Sequence, residues 1–128
     1  MPHFLAPLVG CHVANARLAT DGGAFAEHVE CAFDSASRKR GLLGREALDA
    51  GRALVIAPCN SVHTFFMKFP IDVVFVGRDG IVLKTTASLK PWRLAACVAA
   101  FATIELPAGT IEDRNLVPGS KVMVESGE

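Results

Sequence analysis

The sequence predicts a mainly β, β-rich α+β domain: a compact folded sheet, either a partly open barrel or a sandwich, with two or three short helices. Short runs of β-branched and aromatic residues recur along the chain, separated by turns that contain Gly or Pro. Segments with helix signals are few and short. With 51% apolar residues among 128, the chain can bury a full core as one domain.

The clearest element is the hairpin "IDVVFVGRDGIVLKTTASL", in which two β-branched runs flank the turn at 77–80. Alternate residues of a strand face opposite sides of the sheet. Residues 71–76 are apolar on both sides apart from Asp72, so the first strand should be interior. The second strand carries polar residues on one face and should be half-solvated. We therefore expect this hairpin at the centre of the sheet.

The remaining elements follow from the same signals. Strands are predicted at 25–33, 53–57, 101–109 and 121–125, and in the third of these Thr103 and Glu105 share the face opposite Ile104. Helical segments are predicted at 34–40, 45–50 and 110–116, two of them ended by Gly41 and Gly51. Residues 1–24 are assigned to an N-terminal extension and residues 25–128 to a single domain.

Charge and cysteine spacing exclude several classes of protein. Thirteen basic residues balance thirteen acidic ones, whereas a general nucleic-acid binder usually has a basic excess, so no nucleic-acid partner is expected. The four cysteines form no Cys-x-x-Cys pair, which argues against a structural zinc site. We expect reduced, mostly buried thiols.

The first residues contain "LVGC", which is similar to a bacterial lipoprotein signal ending at Cys11. No Lys or Arg precedes the apolar run, and Pro7 interrupts it, so lipidation is not expected. No stretch approaches the ~20 apolar residues of a membrane span. The sequence as written predicts a cytoplasmic protein with no membrane span.

The stretch "CNSVHTFFMKFP" offers two functional interpretations. Cys59, His63 and Met67 have the ligand types and spacing of a blue-copper loop, for which His28 could supply a second imidazole. Such a loop normally lies near the end of the chain, whereas sixty-one residues follow Met67 here. The alternative is a buried thiol, a turn imidazole and a gap-filling Met, and it predicts no metal and no cofactor.

The stretch "RKRGLLGR" is a Gly-x-x-Gly with basic flanks, the pattern with which KH domains clamp a nucleic-acid backbone. That function requires the loop to join two helices. The alternative is a helix end whose cations complement the helix dipole, with Gly41 as the stop.

His63 and Asp72 form a third candidate site. Asp72 lies on an otherwise apolar strand face, where an unpaired charge is costly, so we expect it to be ionised and hydrogen-bonded. The expected donors are the 63–67 turn or Arg45. A His–Asp pair can orient an imidazole for general base catalysis, as in a hydrolase, or act as a structural clamp.

The ordered blocks "RKRGLLGRE", "LVIAP", "SVHTFFMKFPIDVVFV", "DGIVL", "KPW" and "IELPAG" resemble the prokaryotic family known as domain of unknown function 192. The resemblance runs from about Phe25 to Val124. It implies a compact β-rich domain and no established activity, and some members of the family are exported. The positions that match the family pattern are Arg40, Gly41, Leu42, Gly44, Arg45, Thr64, Met67, Pro70, Asp72, Phe75, Pro91, Glu105, Leu106, Pro107, Ala108 and Gly109.

These observations together predict a binding module for a small polar ligand or a peptide, with a pocket near His63 and Asp72. The alternative is a hydrolase that uses the same pair at the same place. The sequence predicts no oligomeric state. The residues predicted to contact the ligand are Arg45, His63, Thr64, Met67, Asp72 and Glu105.

Overall fold

The structure is a computed structural model that describes residues 3–9, 13–14 and 16–126. Cys11, the residue of the lipoprotein-like motif, lies outside them. The strands are β1 Val13–Ala14, β2 Ala16–Thr20, β3 Gly23–Ala26, β4 His28–Ala32, β5 Arg52–Ile56, β6 Ser61–His63, β7 Ile71–Val76, β8 Val82–Leu89, β9 Leu94–Ala96, β10 Ala102–Pro107 and β11 Met123–Ser126. The helices are α1 Ser35–Arg40, α2 Thr110–Asp113 and a 3₁₀ turn, Ala6–Leu8.

The main sheet has six strands in the order β1-β4-β5-β10-β7-β8. All neighbours are antiparallel except β4 and β5, which run parallel. The predicted β-rich α+β class with two short helices is confirmed. β7 is interior as expected, because its six residues are buried on both faces, but β8 lies at the edge of the sheet and not at its centre.

One face of the main sheet packs against a three-stranded sheet ordered β11-β2-β3. Alternating residues of the central strands, such as Val74 and Ile104, join Leu18 and Phe25 of the smaller sheet in one buried cluster. This is the sandwich-like half of the molecule. It already involves β2, so residues before the predicted boundary at 25 contribute to the sheets.

The opposite face of the main sheet carries a second buried cluster, which includes Val73 and Phe75. It is covered by a two-stranded sheet of β6 and β9 and by the segment that follows α1, from which Leu42 and Leu48 reach inward. The candidate site lies in this half.

Two predicted elements and one predicted connection differ from the structure. The 45–50 segment is irregular and not helical; so short a segment gains little from helix formation, and Leu48 is instead buried against the sheet. The predicted strand at 25–33 divides into β3 and β4 at Glu27. The connection after Lys90 contains β9, which the sequence analysis did not predict.

Among the described residues, no helix has the length and apolar character needed to cross a bilayer. Cys59 and Cys97 are free, half-buried thiols, and Cys31 is buried.

Candidate functional site

A pocket of about 620 Å³ opens between α1 with its following turn, the 58–63 segment and the outer face of β10. The peptide bond between Ala57 and Pro58, at its edge, is cis. The lining residues are Ser35, Arg38, Lys39, Arg40, Gly41, Leu42, Leu43, Ile56, Pro58, Cys59, Asn60, Ser61, Val62, His63, Met67 and Glu105.

Glu105 is the buried polar group of this pocket. It is 4% exposed and lies in β10 opposite Val73 of β7, so it shares the face of the sheet that carries the second buried cluster. Among the described residues, no hydrogen-bond donor contacts its carboxyl group. Burial raises the pKa of Glu105 to about 7, although the nearby charge of Arg45 opposes that rise.

Gly41 keeps the space beside Glu105 open. Its φ of 47° and ψ of −126° follow directly from the end of α1 and are accessible mainly to glycine. A Cβ built on Gly41 would lie 4.0 Å from Oε1 of Glu105 and 4.0 Å from the carbonyl oxygen of Arg38. Both atoms that border this gap are hydrogen-bond acceptors when Glu105 is ionised.

One wall of the pocket is basic. α1 begins at the Asp34 cap, whose carboxylate accepts from the Ser37 amide at 2.8 Å, and its last turn carries Arg38, Lys39 and Arg40. Arg38 Nη1 donates to the carbonyl of Pro58 at 3.4 Å. The guanidinium of Arg38 therefore spans the pocket wall between α1 and the end of β5.

The wall across from α1 includes His63 of β6. Its Nδ1 accepts from the Phe65 amide at 3.3 Å, and its ring stacks on that of Phe65, with centroids 4.8 Å apart. Phe65 stacks in turn on Trp92 at 5.8 Å, and Trp92 contacts Phe66 at 4.5 Å. A row of aromatic rings thus extends from the pocket wall to the surface, where Phe66 and Trp92 are exposed.

Thr64 supports this row from beneath and does not line the pocket. It is fully buried; its hydroxyl donates to the Lys90 carbonyl at 2.5 Å and accepts from the Arg93 amide at 2.9 Å. Thr64 therefore fastens the loop after β6 to the loop before β9.

Asp72 lies on the other side of the main sheet. It is adjacent to Val73 in β7, and Val73 shares the face of Glu105, so alternation turns the Asp72 side chain away from the pocket. Its Oδ1 accepts from the Ser88 amide at 2.8 Å, and its Oδ2 accepts from Gly109 at 3.1 Å and Ile111 at 2.8 Å.

The prediction that Asp72 is hydrogen-bonded is confirmed, but the predicted donors were wrong. Neither the 63–67 turn nor Arg45 contacts it among the described hydrogen bonds. The His63–Asp72 pair is also not formed, because the main sheet separates the two side chains. The Asp72 carboxylate is instead hydrogen-bonded by backbone amides of β8 and of the start of α2.

Arg45 is paired with Glu30 and does not line the pocket. It forms a bidentate ion pair with Glu30 of β4, with N–O distances of 2.7 and 3.0 Å. The hydrogen bond lowers the pKa of Glu30 and raises that of Arg45. Its guanidinium forms no described hydrogen bond with Glu105, but its positive charge lowers the pKa of Glu105.

The structure therefore brings three of the predicted ligand contacts, His63, Met67 and Glu105, into one pocket and places Arg45, Thr64 and Asp72 outside it. The basic wall was not assigned to the site from the sequence. Its signal was the "RKRG" run, which was interpreted as helix-end electrostatics.

The three residues of the copper interpretation, Cys59, His63 and Met67, all line this pocket. The Cys59 thiol donates to the Ser61 carbonyl at 3.2 Å, and His28 is exposed on β4, away from the pocket lining. Within the described ranges, no three His, Cys, Asp or Glu side chains converge in a way that could hold a metal ion.

The Gly-x-x-Gly interpretation requires two helices joined by the loop. In the structure α1 precedes Gly41, but turns and irregular chain follow Gly44 until β5 begins at Arg52. The helix pair of a KH domain is thus absent from this described part of the chain.

Comparisons with known proteins agree with the fold. A protein of unknown function from Novosphingobium aromaticivorans aligns with a TM-score of 0.76 and 22% identity, over 91% of this chain and 88% of that one. A putative transcription regulator from Sinorhizobium meliloti aligns with a TM-score of 0.74 and 21% identity, over 88% and 93%. No curated protein matches. The family model of DUF192, described as "Uncharacterized ACR", matches residues 16–124. The chain therefore belongs to the DUF192 family.

Proposed function

We propose that this protein is a binding module that holds a small polar ligand in the pocket beside Glu105. The observation that carries this proposal is the buried Glu105 carboxyl, which has no hydrogen-bond partner among the described residues. Its oxygens are not among the fully enclosed side-chain atoms that lack a partner, so they face the pocket, where a donor can reach them. A ligand in the pocket would supply the missing partner.

The size and lining of the pocket support the same function. Its volume of about 620 Å³ lies within the ~300–1,000 Å³ typical of small-molecule sites. Met67 and Leu42 give it apolar contact surface, and Glu105 and the basic wall give it polar groups. A few polar groups among apolar ones are what orient a ligand in such sites.

Binding is favoured over hydrolysis because the proposed catalytic pair does not exist in this fold. Asp72 uses both carboxylate oxygens for backbone amides on the far side of the sheet. His63 accepts a backbone hydrogen bond at Nδ1, and no described carboxylate orients its ring. In a hydrolase of the triad type, such a carboxylate orients the imidazole and stabilises its protonated form.

The proposal is tested by amide NMR of the ¹⁵N-labelled full chain against a library of neutral, cationic, anionic and zwitterionic metabolites. We expect ligands to shift the amides of Gly41, Asn60 and His63. Ser61→Trp should abolish these shifts by filling the pocket. Ala87→Trp, on the exposed part of β8, is the matched control and should not. The proposal is wrong if no compound shifts the pocket amides.

A further inference from the structure

We propose that the ligand is zwitterionic, with a primary ammonium group that reaches Glu105 and an anionic group that contacts the basic side chains of α1. Amino acids and the ends of short peptides have this chemistry. The inference rests on the proposed binding function and adds the charge pattern of the ligand.

The floor of the pocket favours a cationic donor. The gap beside Gly41 is bordered by Oε1 of Glu105 and by the carbonyl oxygen of Arg38, each 4.0 Å from the position of a Cβ on Gly41. An ammonium group has three donors and no acceptor, so it suits a site that is bordered by acceptor oxygens. It also compensates the charge of a carboxylate that is 4% exposed, which a neutral donor does not.

The mouth of the pocket favours an anion. Arg38, Lys39 and Arg40 line it, and the ion pairs found among the described residues, Arg45–Glu30 and Lys68–Glu46, include none of the three. The opposite wall adds no compensating charge, because residues 58–71 contain no Asp or Glu. A local excess of positive charge in a chain of zero net charge attracts an anionic group to this position.

The Glu105 carboxyl and the basic side chains of α1 together predict how ligand affinity changes with pH. The charged or titratable groups that line the pocket with Glu105 are Arg38, Lys39 and Arg40 of α1, Cys59, and His63 of β6, while the charge of Arg45 acts from outside the lining. Raising the pH ionises Glu105, and the ammonium group of an ω-amino acid keeps its charge in that range, whereas a peptide N-terminus starts to lose its charge near about pH 8. Zwitterion affinity should therefore rise with pH. A ligand carboxylate bound to protonated Glu105 would show the opposite slope.

The experiment titrates the full chain with 4-aminobutanoate, 6-aminohexanoate and glycylglycine, followed by the amide shifts of Gly41 and His63. Butylamine and butanoate are the matched probes that each lack one charge. We expect the best zwitterion to bind at least tenfold more tightly than either. The affinity of 4-aminobutanoate or 6-aminohexanoate should improve by about tenfold between about pH 6 and pH 8, because a group with a pKa near 7 ionises in this interval while their ammonium groups stay charged.

Two variants separate the two contacts. Glu105→Gln should remove the pH dependence and the preference for the amine over a neutral analogue, and its amide spectrum checks that the fold is kept. Arg40→Ala should reduce zwitterion affinity several-fold without changing butylamine binding. Arg114→Ala, which removes an exposed cation outside the pocket lining, is the control and should change neither.

Failure of this inference can be distinguished from failure of the proposed function. If butanoate binds best, if affinity falls with pH, or if butylamine equals the zwitterions, the charge pattern is wrong while the pocket still binds ligands. If the zwitterions leave the pocket amides unchanged but other library compounds shift them, the inference is overturned and the binding function stands. If nothing shifts them, both are overturned.

Discussion

Asp72 and Glu105 are two buried carboxyl groups on adjacent strands, and the protein treats them in opposite ways. Asp72 is 0% exposed and accepts three backbone hydrogen bonds. Glu105 is 4% exposed and accepts none from the described residues. β7 and β10 are paired so that Asp72 lies opposite Leu106 and Glu105 lies opposite Val73. The two carboxyl residues are therefore offset by one residue along the paired strands.

That single step of register decides which layer each side chain enters. Asp72 points to the side where β8 and the start of α2 present free amides, so its charge joins three segments of the chain. Glu105 points to the side covered by α1 and β6, where the nearest groups leave a pocket. Burial alone therefore does not distinguish a structural carboxyl from a binding one; the supply of local donors does.

The largest expected effect is on stability and comes from removing the carboxylate of Asp72. Asp72→Ala should reduce the free energy of unfolding by about 3–5 kcal/mol, because it leaves three buried amides without an acceptor. Asp72→Asn keeps one oxygen and should cost less. Urea denaturation measures both. Asp49→Ala, at an exposed Asp, is the control and should stay within about 0.5 kcal/mol. A loss below about 1 kcal/mol for Asp72→Ala would contradict the anchoring role.

The sequence was sufficient for the side-chain alternation of the central strands and insufficient for their assembly. The alternation in β7 and β10 correctly placed Val73 and Thr103 on opposite faces from Val74 and Ile104, because side-chain direction has a period of two. It could not show that β7 and β10 are neighbours or in which register. Without that pairing, Asp72 and His63 could be assigned to one site, although the sheet separates them.

The basic wall was missed for a related reason. The 38–40 run has the same local signature whether it ends a solvated helix or lines a pocket, since helix-end cations are favourable in both cases. Only the position of α1 across a pocket from β6 distinguishes the two. β9 was missed because its three residues form a strand only through pairing with β6, which lies about thirty residues earlier.

The second prediction concerns Glu105 and the pH dependence of the free energy of unfolding. The pKa of Glu105 is raised from 4.5 to about 7 by folding, so the folded state holds a proton that the unfolded state has lost. The corresponding stability is fully present below about pH 4.5 and is lost as the pH rises through 7. The free energy of unfolding should fall by about 2 kcal/mol between about pH 5.5 and pH 8.

Glu105→Gln is the matched control for that measurement. It keeps the shape of the side chain and removes its ionisation, so urea unfolding across the same pH range should lose most of the slope. At the alkaline end this variant should be more stable than the natural chain, because it no longer buries a charge without a partner. An unchanged slope in Glu105→Gln would show that another group titrates and that Glu105 is not the proton-binding carboxyl of the pocket.

The smallest expected effect concerns the influence of the Arg45–Glu30 ion pair on the pKa of Glu105. Arg45 is held by Glu30, and its charge lowers the pKa of Glu105 against the larger effect of burial. Arg45→Met should therefore raise the pKa of Glu105, measured by carboxyl ¹³C NMR of Glu-labelled protein. The Arg45–Glu30 pair is partly exposed, so the loss of stability should stay below about 1 kcal/mol. Glu30→Gln breaks the same ion pair but keeps the cation, so it should not raise the Glu105 pKa. If both variants raise it equally, Arg45 acts by positioning the wall and not by its charge, and the coupling between the ion pair and the pocket is structural.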